Sequence, residues 1–233
     1  IQGLGKLKNR YFLEVIKRFD PKTIAINFSR NSSLADGLTY GCYLELVDLL
    51  KDTPYVNRLI SSEGLVAALR GRKSDAEIEL MKVSIKETIR IFDEVTQFIK
   101  PGKTEKDVSD FIKGLVEQRG FGLAWDEEHC PAVFTGPDSA GAHSGPTNRV
   151  IEQGHILNID FGLNINGYCS DLQRTWYILR ENELVPPAEV LHGFNTILES
   201  VTLSAEALKP GKLGCEIDDV ARNYIVSNGY SEY

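Results

Sequence analysis

Between Gly154 and Trp176 the chain reads GHILNIDFGLNINGYCSDLQRTW, and this stretch constrains the fold more than any other. Leu157, Ile159, Phe161 and Leu163 alternate with Asn158, Asp160, Gly162 and Asn164, the period of two that gives a strand one apolar and one polar face. Asp160 falls on the polar face. Asn164 to Gly167 carry turn chemistry and a second extended run goes from Tyr168 to Ile178, so a β-hairpin is predicted. With Ile165-Asn166 as a two-residue loop, Asp160 and Asp171 stand directly opposite one another; with Asn166-Gly167 as the loop they are diagonal neighbours. Their separation is 11 residues, an odd number, so either loop leaves both carboxylates on one face, with Cβ atoms about 5 to 8 Å apart.

Like charges facing each other across strands destabilise a hairpin unless something positive lies between them. A bound cation answers that need. Carboxylates suit hard or borderline divalent ions, and two such ions about 3.5 to 4 Å apart fit the space the pair brackets. For two aspartates taken alone, an ordinary solvent-facing strand face is the simpler reading, because exposed acidic residues are common.

The string IDFG, followed by NGYCSD and LQRT, resembles the signature of the pita-bread metallopeptidases, a family that includes methionine aminopeptidase, Xaa-Pro aminopeptidase and prolidase. The resemblance implies that Asp160 and Asp171 are the two aspartate ligands of the hairpin, one bridging two metal ions and one chelating. It implies two divalent ions, manganese first, with cobalt, zinc or iron as alternatives. His143 precedes Asp160 by 17 residues. By itself a loop histidine is a solvated surface residue. In the family a histidine at that spacing is typical of the Xaa-Pro aminopeptidase branch, and the role implied for His143 is a hydrogen bond to the substrate peptide during carbonyl attack. Arg174 and Thr175 would support strand register and the surroundings of the metals. His155 and His192 read as structural or surface histidines, and His129 carries only a weak case for lining the pocket.

The 233 residues, 42% hydrophobic and 25% charged, are those of an ordinary globular protein with ample length for a core. No apolar run reaches the roughly 20 residues of a membrane span, and no signal peptide opens the chain, so the expectation is no membrane and a cytoplasmic location. A net charge of −7 argues against nucleic acid, which would call for clustered Lys and Arg. The four cysteines form no C-x-x-C pair and read as reduced, mostly buried thiols.

Along the chain, Lys22 to Phe28 reads as a strand and Tyr43 to Leu50 as a short helix. Residues 1–62 resemble the C-terminal part of the N-terminal creatinase-like domain of Xaa-Pro peptidases. Ser74 and Glu77 have capping-box spacing, and a helix should follow with Ile78, Met81, Ile85, Ile89, Phe92, Val95 and Ile99 as its core stripe, stopping at Lys100-Pro101-Gly102. Thr104 and Asp107 cap a second helix with Val108, Phe111, Ile112 and Leu115 on one face. Pro131 to Thr135 is a strand, and 136–146 a Gly/Pro/Ser-rich loop containing His143. A helix from Ala188 to Ser204, a second Lys-Pro-Gly-Lys turn at 209–212 and a helix from Ile217 to Val226 echo the earlier helix, turn, helix unit, as an internal duplication would.

The phrases LRGRKSDAEI and IKPGKTEKDV also resemble the start of the pita-bread catalytic domain, so the resemblance spans 65–233. The fold expected is therefore α+β: an incomplete pita-bread (creatinase/aminopeptidase) fold with a remnant of an α/β N-terminal domain. The chain opens at Ile1 without an initiator Met and stops soon after Asn228-Gly229, and both ends read as cut. The family's remaining ligands, one His and two Glu, would belong to sequence beyond Tyr233. The complete protein is expected to be a metallo-exopeptidase acting on Xaa-Pro bonds of proline-containing peptides or dipeptides, commonly as a homodimer. This chain alone is expected to bind metal weakly and to be inactive. The alternatives are a non-catalytic pita-bread interaction module and a creatinase-type hydrolase without metals; intact Asp160, Asp171 and His143 weigh against both.

Overall fold

The structure is a computed structural model that describes residues 2–139 and 144–230. It divides into two compact units, Ile1–Glu79 and Leu80–Tyr233.

In the first unit, helix α1 (Gln2–Phe19) is followed by strand β1 (Ile24–Ile26), helix α2 (Tyr40–Leu50), strand β2 (Leu59–Ser61) and helix α3 (Glu63–Gly71). The two strands pair in parallel, Ala25 opposite Ile60, which requires the crossover that α2 supplies. Thr39 caps α2 by accepting from the Cys42 N–H, so the helix starts three residues before the expected Tyr43. Ile16, Leu50 and Tyr55 form the core of this unit, with Leu13, Ile24 and Leu59 packed against them. Asp20 accepts from Arg58 at 2.8 Å and from the Tyr55 hydroxyl at 3.2 Å, tying the end of α1 to the turn before β2.

Helix α4 (Asp75–Phe98) begins at the Ser74–Glu77 capping box, where Ser74 N–H donates to the Glu77 carboxylate and Glu77 N–H donates to the Ser74 hydroxyl. After the Pro101-Gly102 turn comes α5 (Glu105–Gln118), then strands β3 (Gly122–Leu123), β4 (Ala132–Thr135), β5 (Ile156–Phe161), β6 (Leu163–Ile165), β7 (Tyr168–Cys169) and β8 (Leu172–Tyr177), and helices α6 (Ala188–Ala207) and α7 (Gly214–Ser227). The strands form two antiparallel sheets, ordered β3-β6-β7 and β4-β5-β8. The hairpin predicted for 154–178 is present and runs through both sheets. Leu157, Ile159 and Phe161 face the core with Ile91, Phe92 and Val95 of α4 and Val108, Ile112 and Val116 of α5. Phe92 meets the Phe161 ring edge-on at 5.8 Å.

The core face of α4 differs from the expected stripe. Ile78, Ile85 and Ile89 are each more than a third exposed, whereas Ser84 and Thr88 are fully buried beside Ile91, Phe92 and Val95. Hairpin backbone and hydroxyls lie against this face, so small hydroxyl side chains serve where isoleucine would be too large and would leave polar atoms unpaired. Ser84 Oγ donates to the Tyr168 carbonyl at 2.7 Å, and Thr88 Oγ1 lies 2.7 Å from Ser170 Oγ.

The two Lys-Pro-Gly-Lys turns share their geometry, with Gly102 at φ +89° and Gly211 at φ +91°. Among the described residues no helix is long and apolar enough to cross a membrane.

Candidate metal centre

Asn166 (φ +54°) and Gly167 (φ +84°) form the two-residue turn of the hairpin, both left-handed as a type I′ turn requires. Asn164 Oδ1 accepts from the Gly167 N–H at 3.0 Å and steadies it. Of the two registers open from sequence, this is the one with Asn166-Gly167 as the loop. It holds through both sheets: Ile165 pairs with Tyr168 and Asn164 with Cys169, and farther from the tip Phe161 pairs with Leu172 and Asp160 with Gln173. Asp171 is therefore the diagonal neighbour of Asp160, two residues before Gln173 on the same strand face. The face is the polar one. Along β5 the residues at 157, 159 and 161 are buried, while Asn158 and Asp160 are only partly so.

Asp160 and Asp171 sit where the hairpin passes from one sheet to the other. The crossing is held by a close approach that only glycine allows: a Cβ on Gly162 would lie 2.0 Å from the Ser170 carbonyl oxygen. Ser170 is buried and bonded on all sides. Its N–H donates to the Leu163 carbonyl at 2.9 Å, and its hydroxyl accepts from the Leu163 N–H at 2.9 Å while pairing with Thr88. Gly162 and Ser170 thus immobilise the backbone beside each aspartate. Their function escapes a sequence reading because a glycine and a serine flanking acids are unremarkable residue types.

Around the pair, Asn158 Nδ2 donates to Thr175 Oγ1 at 2.9 Å, a cross-strand bond on the aspartates' face. Arg174 points to the other face, its guanidinium 5.5 Å from the centre of the Phe92 ring. Against the expectation of mostly buried thiols, Cys42, Cys169 and Cys215 are exposed, lying outside the buried cores. Cys130 is fully buried, and burial, with a smaller contribution from the Asp160 carboxylate, pushes its thiol up from the ordinary value. His143 lies outside the described residues. His155 accepts from the Glu152 N–H at 3.3 Å and sits under Gly136, a supporting position. His192 pairs with the Asn228 carbonyl at 3.2 Å and stacks on Tyr230, joining α6 to the end of α7.

By donor chemistry the two carboxylates fit a hard divalent ion, and their shared face makes joint ligation possible. They fall short in number. Among the described residues, the His, Cys, Asp and Glu side chains that come together as a set of three are Asp126, Glu128 and His129, all exposed, with His129 Nδ1 3.1 Å from Asp126. Neither Asp160 nor Asp171 belongs to that set. A shallow depression lined by Glu87, Arg90, Asp93, Glu94, Arg119 and Phe121 contains no hairpin residue, and Arg90 and Arg119 are paired there with Glu87 and Glu94.

Comparison with known proteins adds a family and solved structures of the same fold. The model of metallopeptidase family M24 matches residues 79–233. An uncharacterized peptidase, YqhT, of Bacillus subtilis strain 168 is 27% identical over 208 residues, 89% of this chain and 54% of that protein. Among solved structures, an Xaa-Pro dipeptidase from Bacillus anthracis matches with a TM-score of 0.74 and 27% identity over 97% of this chain and 58% of its own. An X-Pro aminopeptidase from Thermotoga maritima MSB8 matches with a TM-score of 0.76, 27% identity and the same coverage. The chain spans about half the length of the curated relatives it matches.

Proposed function

The chain belongs to metallopeptidase family M24 and has its pita-bread fold, and from that premise we propose that the complete protein is a metal-dependent exopeptidase hydrolysing Xaa-Pro peptide bonds at a dinuclear site. The supporting observation is the hairpin register that keeps Asp160 and Asp171 on one polar face while Gly162 and Ser170 fix the backbone between them. In this reading residues 1–62 close an N-terminal domain and 65–233 form the first part of the catalytic domain.

Asp160 and Asp171 would hold the ions through their carboxylates. Divalent ions at such a site activate water near neutral pH and polarise the scissile carbonyl. His143 hydrogen-bonds the substrate peptide and orients its carbonyl. Buried Leu157, Ile159 and Phe161 behind the carboxylates keep them from shifting as charge develops, which is how a rigid scaffold contributes to catalysis. Manganese is the first choice of ion, the substrate is a proline-containing peptide or dipeptide, and a cytoplasmic homodimer completes the reading.

Two carboxylates leave an octahedral or five-coordinate shell largely unfilled, so the 233-residue chain by itself is proposed to bind metal weakly and to lack activity. Manganese titrated into this chain is expected to bind weakly, with D160N or D171N removing what binding there is. In the complete protein, either substitution should lower kcat/KM on an Xaa-Pro dipeptide by about a thousandfold, equivalent to the several kcal/mol such ions supply. Tight binding of two ions by this chain alone, with peptide cleavage, would contradict the weak-site reading. A complete protein that loads two ions but cleaves no Xaa-Pro peptide would contradict the peptidase reading.

A further inference from the structure

Two hydroxyl side chains on α4, Ser84 and Thr88, are fully buried one helical turn apart, and both reach across to the hairpin. Ser84 Oγ donates to the Tyr168 carbonyl, and Thr88 Oγ1 meets Ser170 Oγ, each at 2.7 Å. A serine or threonine buried in a helix can satisfy itself by donating to a carbonyl of its own preceding turn. Thr196 and Ser200 of α6 do this, with the carbonyls of His192 and Ile197. Thr88 makes the same kind of bond, to the Ser84 carbonyl at 2.9 Å, and has a second partner in the hairpin.

The donors follow one another in order. The Leu163 N–H donates to Ser170 Oγ at 2.9 Å. The Ser170 hydroxyl is 2.7 Å from Thr88 Oγ1 but 3.4 Å from the Leu163 carbonyl, so its proton goes to Thr88. The Thr88 hydroxyl in turn donates to Ser84. In a buried chain of this kind each bond polarises the next, and removing one member leaves another polar atom unpaired.

The chain ends beside the metal centre. Ser170 precedes Asp171 directly, and its carbonyl oxygen is the one packed against Gly162, two residues from Asp160. Successive side chains of an extended strand point to opposite faces, so Ser170 turns towards α4 while Asp171 turns to the polar face. Thr88 holds the crossing of the hairpin from the core side, behind the carboxylates.

The second Lys-Pro-Gly-Lys unit gives an internal comparison. Aligning Lys209 with Lys100 sets Gly193 against Ser84 and Ile197 against Thr88. The helix and its turn recur without the two hydroxyls, so the helix-turn-helix geometry does not require them. The hairpin is what they serve.

We infer that Thr88 is a positioning residue for the metal centre: through Ser170 it fixes where Asp171 stands relative to Asp160, and so sets the affinity for a divalent ion. The inference rests on the reading of the two aspartates as metal ligands. Valine at position 88 keeps the shape of threonine but leaves the Ser170 proton without its acceptor, whereas serine keeps the hydroxyl and gives up a methyl group.

The test is a calorimetric manganese titration of the complete protein as wild type, T88V, T88S and T96V. Thr96 is the control on the same helix, because its hydroxyl accepts from Trp176 Nε1 at 3.2 Å and ties α4 to β8 five residues beyond Asp171. T88V should bind manganese about tenfold more weakly, the lower end of the loss expected for a group that orients a ligand, and T88S should stay within about twofold of wild type. T96V should melt at a lower temperature and keep the wild-type affinity. S170A removes the other end of the same bond, which keeps the question open to measurement even if T88V fails to fold; it should weaken binding as T88V does, and T88V/S170A no further than either alone. Wild-type affinity in T88V or S170A, an equal loss in T96V, or additive losses in the double variant would overturn the positioning role. A wild type that takes up no manganese would instead refute the metal-ligand reading itself, and the inference with it.

Discussion

At the scale of single residues, Gly162 is the position that decides whether the aspartate pair can exist in this arrangement. The obstacle to any side chain there is a main-chain oxygen, which cannot swing away as a flexible side chain would. Gly162→Ala is therefore expected to cost about 3 kcal/mol in urea denaturation, near the upper end for overpacking. Gly167 is the contrast. Nothing lies within 4 Å of the site of its missing Cβ, and only its φ of +84° opposes substitution. Gly167→Ala should cost about 1 kcal/mol. Equal losses at the two positions would mean that the crossing relaxes more readily than its packing implies.

Elements were largely legible in the sequence, and the departures share one physical cause. Alternation along β5, the hairpin turn and the caps at Ser74 and Thr104 depend on short-range rules, and each stands where it is read. The α4 stripe fails at Ile85 and Ile89 because hydrophobic periodicity marks an apolar face without saying what approaches it. Ser84 and Thr88 are buried since hairpin carbonyl and hydroxyl groups lie opposite, a fact that lives in tertiary contacts. Glu105, buried where its carboxylate accepts from the Thr135 N–H and the Thr147 hydroxyl, is hidden for the same reason: a glutamate after a threonine cap looks like any first-turn acid. The Asp160 and Asp171 face could be assigned because an odd separation makes it independent of the loop, whereas the choice between opposite and diagonal needed the turn itself. The α5 cap also has a pH signature. Asp107 accepts from the Thr104 N–H at 2.8 Å, and that bond holds its carboxyl below the ordinary 3.8. A depressed folded value means the contribution is whole above pH 3.8 and is lost as pH falls through the lower folded value. The melting temperature of Asp107→Asn should lie below wild type at neutral pH, with the gap closing on acidification below 3.8. A gap independent of pH would assign the loss to something other than the carboxylate.

For the molecule as a whole, the two units carry separate cores with no residue in common. Leu50→Ala and Ile112→Ala should each cost about 3 kcal/mol, but in different units. Exchange protection of β5 and β8 should fall in Ile112→Ala and stay at wild-type level in Leu50→Ala; loss in both would show that the units fold as one. The continuous register of the hairpin also governs how a lineage can change this chain's length. Insertions at the Asn166-Gly167 tip lie outside every pair and leave the strands as they are. A single deletion within 161–165 or 168–170 would turn one carboxylate into the core and bring an apolar side chain out in its place. Within the hairpin, length variation is thus tolerated at the tip, where it cannot disturb what the base presents.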